Sequence, residues 1–495
     1  MKYSIYAKLS IALIIIVAVI RIVFALTHSV SGDACWHLSA SRFMADNNEI
    51  PSFEGLGRLQ AFWPPPIFHI IGALFFKISN LMSLDIANLS LKLISPIFGT
   101  LTVIIAFLLI RKVFDEKTAF YSMIFLNFIP VFLDYSILAY VGSTTAFFSI
   151  LSVYLMLNKR YILSSTSLGL AILTKYTAIF MFPMILYLAY KSYPNKKESL
   201  RKLSVIVFLP LLISSIWFIR NFILLGNPFW PFLNGIFQGT SLGITFNTFS
   251  FSKIFSLDAY TKLYLEFFGV PNGDISVLSA FSFPFLNYLL IIWLIGTLIF
   301  LYPFIKGLYL KKPKNNEAGY FLKSIHILFL SYIFMLFIYI TNTGWSSARL
   351  LMPVLPFIAI IWANGASSFK LRKAYLILAV LIGTGFIMAE GIKLTTAANE
   401  WNIYEQDFEW VKNNTENNDL FYGNGQCLPY NINRLVIDHS AQIDFNDVDY
   451  VWVNNKWRID FHMNEDSLSR VRNSNILTEA YSNKDTGTII YKVIR

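Results

Sequence analysis

The chain has 495 residues, of which 56% are hydrophobic, 17% aromatic and only 14% charged. A soluble domain carries about 25% charged residues, so this balance excludes an ordinary soluble enzyme and points to a polytopic membrane protein. The formal net charge of +11 is not gathered in a Lys/Arg-rich exposed domain, which excludes a nucleic-acid binder; in a membrane protein such an excess sits in cytoplasmic loops and meets lipid head groups.

Lys2 and Lys8 precede the first apolar run, Leu9 to Leu26, and put the N-terminus inside. The run is too long for a signal-peptide core and no small-residue cleavage site follows, so it reads as an uncleaved anchor. Arg21 lies near its outer end, where it can snorkel or line a site. The next strong run is Leu89–Ile110. Between them, Pro66 to Met82 is apolar but short and follows three prolines. It reads as a helix on the outer surface, because a span there would put Arg111, Lys112 and Lys117 outside.

Later spans are expected at Ala119–Leu133, Tyr140–Leu157, Tyr161–Thr174, Ala178–Tyr190, Leu203–Ile219, Phe283–Ile305, Leu322–Thr341, Leu351–Asn364 and Ala374–Ala389, eleven in all. The basic loops then fall on one side: Lys159 and Arg160; Lys191 to Lys202; Lys306 to Lys323; and Lys370 to Lys373. This asymmetry predicts a cytoplasmic N-terminus and an extracytoplasmic C-terminus.

Residues 1–394 thus read as a transmembrane domain with two large outer segments, 28–87 and 221–282. In the second, Ser256 to Phe268 has apolar residues at helical spacing and suits the membrane interface. From about Thr395 the composition turns to Asn, Asp and Glu. Strand-like pieces (Asp419–Tyr422, Arg434–Ile437, Tyr450–Val453, Thr488–Val493) alternate with helix-like ones (Glu405–Asn413, Glu465–Val471). Residues 395–495 therefore read as a small extracytoplasmic α/β domain. Cys35 and Cys427 are the only cysteines. Both fall on the same predicted side, where a bridge is conceivable, and two unpaired buried thiols are expected.

The stretch from Ser31 to His69 concentrates polar groups beside a bilayer: Asp33, His37, Arg42, Arg58 and His69, with Trp63-Pro64-Pro65-Pro66 among them. Asp33 follows Gly32, which allows a tight turn, and sits just past the first span. A partly desolvated carboxylate there can serve as a general base on a hydroxyl, or simply cap the helix that follows. His37 lies one helical turn on, facing the same pocket. With His69 it could in principle join a metal site, but no further carboxylate is adjacent, and no metal or other cofactor is expected. Arg58 completes this pocket, which binds donor or acceptor; Asp134, ending the third span on the same side, is a second site acid or a boundary acid. Lys175, Arg220 and Arg349 are all predicted outside, where the charge rule disfavours cations. Snorkelling would explain one of them; three together point to a phosphate partner. A carboxylate base and a set of cations fit transfer of a sugar from a lipid-linked phosphosugar. The phosphate leaving group needs charge stabilisation rather than a strong acid.

The order of motifs resembles the GT-C glycosyltransferases, in particular the protein O-mannosyltransferase and aminoarabinose-transferase-like group. The resemblance rests on Gly32-Asp33 with His37, and on Trp63-Pro64-Pro65-Pro66. It rests further on Gly169-Leu170-Ala171-Ile172-Leu173-Thr174-Lys175-Tyr176, on Arg220-Asn221 with Gly226-Asn227-Pro228, and on Arg349 with Pro353 and Pro356. It covers about residues 1 to 390. It implies an inverting transferase that uses a polyprenyl (dolichyl-type) monophosphate sugar, with Asp33 as the base. The implied setting is a cell membrane, with a protein, lipid or glycan acceptor. Two positions depart from the family: Ala34 stands where many members have a second acid, and Gly142, Ser143 and Thr144 occupy the start of the fourth span, where many have an acid. The rival reading is a transporter or flippase. Its mid-membrane ionisable residues and matched halves are not seen here.

Overall fold

The structure is a computed structural model of the whole chain. It describes residues 4–495 except 29, 53–55, 59–60, 83–86, 193–195, 241–245, 247–249, 270–299, 310–315, 368–371, 398–400, 424, 455 and 457–462. The expected span Phe283–Ile305 therefore lies mostly outside the described residues, and Leu301–Leu308 is helical. The chain divides into two compact units. Unit 1 holds residues 1–26, 93–238 and 246–391; unit 2 holds 27–92, 239–245 and 392–495.

Unit 1 is helical. Among the described residues of the whole chain four helical stretches are long and apolar enough to cross a membrane: Ile5–Thr27, Asn88–Val113, Arg201–Leu225 and Asn316–Thr343. Shorter apolar helices accompany them, among them Val141–Leu157, Tyr161–Ile172 and Leu355–Ser367. The chain is thus a multi-pass membrane protein. Val141–Leu157 packs against Ile94–Val113 and Tyr161–Ile172, and the latter lies along Lys196–Leu225. Leu355–Ser367 crosses Leu301–Leu308 so closely that a Cβ on Gly365 would collide with the Pro303 carbonyl. Glycine lets the two backbones touch, as small residues do between membrane helices. Two expected spans are interrupted. Glu116–Asn127 ends and a short helix restarts at Pro130–Asp134, because Pro130 cannot continue the ladder. The segment expected from Ala178 opens as a 3₁₀ turn, Tyr176–Met181, before Phe182–Ser192.

Unit 2 joins the first large loop to the C-terminal residues. Helix Asp33–Asn47 packs on Ile67–Leu81 and on Leu428–Ile432. At 15 residues, Ile67–Leu81 reaches about 22 Å, short of a bilayer core of about 30 Å. The C-terminal residues form a five-stranded sheet from β1 (Leu420–Gly423), β2 (Leu435–Asp438), β3 (Tyr450–Asn454), β4 (Leu477–Asn483) and β5 (Thr488–Val493). The order is β2-β1-β3-β5-β4, with β2, β1 and β3 parallel and β5 antiparallel to both β3 and β4. Four strands overlap the strand-like pieces of the sequence. β4 was missed, because most of its side chains are exposed or half-buried and it shows no clean alternation. Tyr422, Val451, Val453, Leu468, Val471 and Val493 fill the core on one side. Buried Asp407 is satisfied by three donors: Tyr481 Oη at 2.7 Å, Asn483 Nδ2 at 2.7 Å and Thr488 Oγ1 at 2.6 Å.

Cys35 and Cys427 are not two unpaired thiols: they form a disulfide, with Cα atoms 4.9 Å apart at a sequence separation of 392. Two cysteines so distant carry no spacing signal, and only the packing of Asp33–Asn47 on Leu428–Ile432 brings them together.

Candidate active site

In unit 2 the site begins at Gly32, whose φ of 58° turns the chain into the Asp33–Asn47 helix. Gly32 is the cap, and Asp33 is the first helical residue. Its carboxylate is favoured by the positive end of the helix. It forms an ion pair with Arg58 Nη2, and both side chains are partly exposed. Arg58 is fixed on two other sides. Its Nε donates to Gln426 Oε1 at 2.5 Å, and its guanidinium lies over the Trp36 ring, 4.2 Å from the centroid. Gly57 makes this approach feasible: its φ is 76°, and a Cβ there would meet Gln426 Cα at 2.8 Å. The preceding residue, Leu56, pairs in parallel with Val436 of β2, which sets the register of the segment.

Behind the acid lie the two histidines. His37 Nδ1 and His69 Nε2 are 2.8 Å apart and share one hydrogen bond. Both are buried, among Trp36, Phe62 and Phe68, with ring centroids 5.1 to 6.2 Å apart. Burial pulls His69 down to about 3, against a smaller opposing effect of the Pro65 carbonyl. It is therefore a neutral imidazole that locks the first helix of the unit onto the second, rather than a proton carrier at neutral pH.

Unit 1 holds the other residues singled out in the sequence. Lys175 Nζ donates to the Arg349 carbonyl at 3.4 Å. The Arg349 guanidinium lies 5.8 Å from the Tyr140 ring centroid, and Tyr140 packs edge-on against Tyr135. The Tyr135 hydroxyl feels the charges of Glu266, Arg349 and Asp134. Arg220 stacks on Trp217 at 4.4 Å and donates to Asn221 Oδ1 at 3.0 Å. Trp217 and Asn221 both donate to the Tyr176 hydroxyl, at 3.0 and 2.9 Å. Tyr176 adjoins Lys175 in the chain, so Lys175, Arg220, Arg349 and Asp134 share one end of the unit. Arg21 is buried in the same unit, donating to Ser136 Oγ at 2.7 Å and Asn127 Oδ1 at 2.9 Å.

Sequence reading missed two groups. Glu266, on helix Leu257–Phe267, accepts from Tyr135 Oη, Ser347 Oγ and Ala348 N at 2.7 to 2.8 Å. It thereby fixes the backbone just before Arg349. Gln426, the residue before Cys427, fixes Arg58. Neither stands in a motif. The only clue to Gln426 was its place beside a cysteine.

Residues 64–219 match the family model described as dolichyl-phosphate-mannose-protein mannosyltransferase. An uncharacterized protein of Aquifex aeolicus (strain VF5) is 35% identical over 133 residues, which are 26% of this chain; the match spans 30% of the length of that curated relative. Among solved structures, ArnT from Cupriavidus metallidurans bound to undecaprenyl phosphate superposes with a TM-score of 0.63 at 12% identity, covering 99% of this chain and 98% of that one. The arabinofuranosyltransferase AftD from Mycobacteria gives a TM-score of 0.57 at 11% identity, covering 97% of this chain and 40% of that one.

Proposed function

We propose that this chain, which belongs by family model and fold with the GT-C membrane glycosyltransferases, transfers a sugar from a polyprenyl monophosphate carrier to an acceptor hydroxyl. The observation that carries the reading is the Asp33–Arg58 pair at the start of a helix. The Asp33 carboxylate stands at the helix start, where it can accept a proton from a bound hydroxyl. The acceptor oxygen attacks the anomeric carbon while Asp33 takes the hydroxyl proton. The bond from that carbon to the phosphate oxygen breaks, and the electron pair leaves with the polyprenyl phosphate. The product has inverted configuration. Lys175, Arg220 and Arg349 bind the phosphate and stabilise the leaving charge. In unit 2, Arg58, His37 and His69 shape the pocket of the acid, with His37 and His69 acting through the position of the helix that bears Asp33; in unit 1, Asp134 is a second acid near the cations.

The family description names mannose and protein, and the ArnT structure holds undecaprenyl phosphate. A polyprenyl-phosphate hexose and a protein acceptor are therefore the first pair to test. Eleven spans with the N-terminus in the cytoplasm put the acid outside, a topology supported by the one-sided basic loops. The C-terminal residues serve the acceptor side.

The test is transfer of radiolabelled sugar from polyprenyl-phosphate-mannose or -glucose by purified protein in detergent. Asp33→Asn runs beside it, and EDTA in a parallel tube. Loss of transfer in Asp33→Asn with survival in EDTA supports a metal-independent base. Transfer that survives the substitution removes Asp33 from the chemistry. Movement of unchanged label into sealed vesicles would instead favour a transporter.

A further inference from the structure

The geometry points to a second site, at the other end of unit 1, that binds the headgroup of an acidic phospholipid. Helix Val141–Leu157 begins beside Tyr140, in the cluster with Arg349, and ends 17 residues later, about 25 Å away. At that far end a cavity of about 350 Å³ opens among the ends of four helices. Its floor is buried Leu157 and Leu188, and its walls carry Lys112, Lys159, Lys191 and Glu317, a net charge of +2.

Two of the lysines, Lys112 and Lys191, are held in place. Lys112 Nζ donates to the Leu157 carbonyl and to Asn158 Oδ1, both at 2.9 Å, with Glu317 at 4.0 Å. Lys191 lies over three tyrosine rings, Tyr187, Tyr190 and Tyr320, at 5.1 to 5.9 Å. Lys159 stands at φ 59°, just after the helix end, where glycine or asparagine is the usual residue. A long cation at a left-handed position strains the turn, where glycine would not. Its charge, not its backbone, is what the position gains.

A headgroup is favoured over a free anion by what surrounds the cavity. Tyr190, whose ring lies 5.1 Å from Lys191 Nζ, is 53% exposed, giving ring surface for an acyl chain next to a cationic hollow. Basic pockets between membrane helices take acidic lipid headgroups on this principle. The inference is independent of glycosyl transfer.

The test uses the full chain in nanodiscs of pure phosphatidylcholine, or of phosphatidylcholine with phosphatidylglycerol, read by unfolding temperature and by native mass spectrometry of lipid adducts. Phosphatidylglycerol should raise the unfolding temperature, and inorganic phosphate should not. The double variant K159G/K191Q should keep or slightly raise stability in phosphatidylcholine, since glycine suits the turn. It should also lose phosphatidylglycerol adducts at least fivefold, while K306Q keeps them. An equal response in K159G/K191Q and wild type, or an equal loss in K306Q, overturns the site. A matching rise with inorganic phosphate overturns the lipid assignment.

Discussion

The two units handle polar groups in opposite ways. Unit 2 is small, and it is held by one covalent bond and by polar groups in closed sets: Asp33 with Arg58 and Gln426, His37 with His69, and Asp407 with three donors. Unit 1 is held by apolar helices in close contact, and its cations gather at the two ends of those helices. The lesson is that damage should separate by unit. Changes in the buried polar sets of unit 2, the histidine pair and Asp407, should cost stability, while a change at the partly exposed Asp33 should cost chemistry alone. Charge changes at the ends of unit 1 should cost binding and leave the fold alone.

The sharpest probe of that separation is Asp33→Asn. It keeps the shape of the helix start and removes the base, so the transfer rate should fall by about 10²–10⁴. The unfolding temperature in the same preparation should move only slightly, since a partly exposed ion pair contributes about 1 kcal/mol or less. A collapse in stability of the same variant would place Asp33 among the structural acids.

Arg349→Gln comes next. Loss of one charge-assisted phosphate contact, about 1.5–3 kcal/mol, should lower kcat/KM by about 10–100-fold. Free polyprenyl phosphate should inhibit the variant correspondingly less. A variant with normal carrier inhibition would show that the guanidinium serves the bundle instead.

Third, Cys35→Ser with Cys427→Ser should lower the stability of unit 2 by about 2–4 kcal/mol. Helices of unit 1 should melt where they did before, as followed by hydrogen exchange of the two sets of peptides. Equal loss in both would mean that the units do not melt separately.

A further effect is in pH. His69 is held near 3 in the folded protein, against about 6.5 when unfolded. The unfolded chain therefore binds a proton that the folded one refuses, and stability present above about 6.5 drains away as pH falls toward 3. His69→Asn should flatten that slope between pH 6.5 and 4.5, in an unfolding series. An unchanged slope would assign the acid sensitivity to other groups.

What was legible in the sequence follows the range of the forces involved. Apolar runs long enough to span, the proline-rich turn before Ile67 and the glycine before Asp33 are local, and they mark helices and turns directly. Helix Leu257–Phe267 was visible in its spacing. The likeness to the GT-C fold came from motif order. Partnerships were not legible. Arg58 finds Gln426 at a separation of 368 residues, His37 finds His69 at 32, and Tyr135 finds Glu266 at 131. Each depends on how helices pack, and no spacing rule reaches so far. The metal idea for Asp33, His37 and His69 shows the limit: three good ligand types lay close in sequence, yet the two imidazoles face each other and the acid faces an arginine.

The bond between Cys35 and Cys427 also changes what kind of object the chain is. Everything from residue 35 to residue 427 is a closed ring. A protease that nicks any loop in that ring leaves one molecule, not two, and the pieces migrate together until a reductant parts them. The ring can close only after the last cysteine has joined the first on an oxidising side of the membrane. A cell that assembles this protein must therefore finish threading the chain before it can seal it.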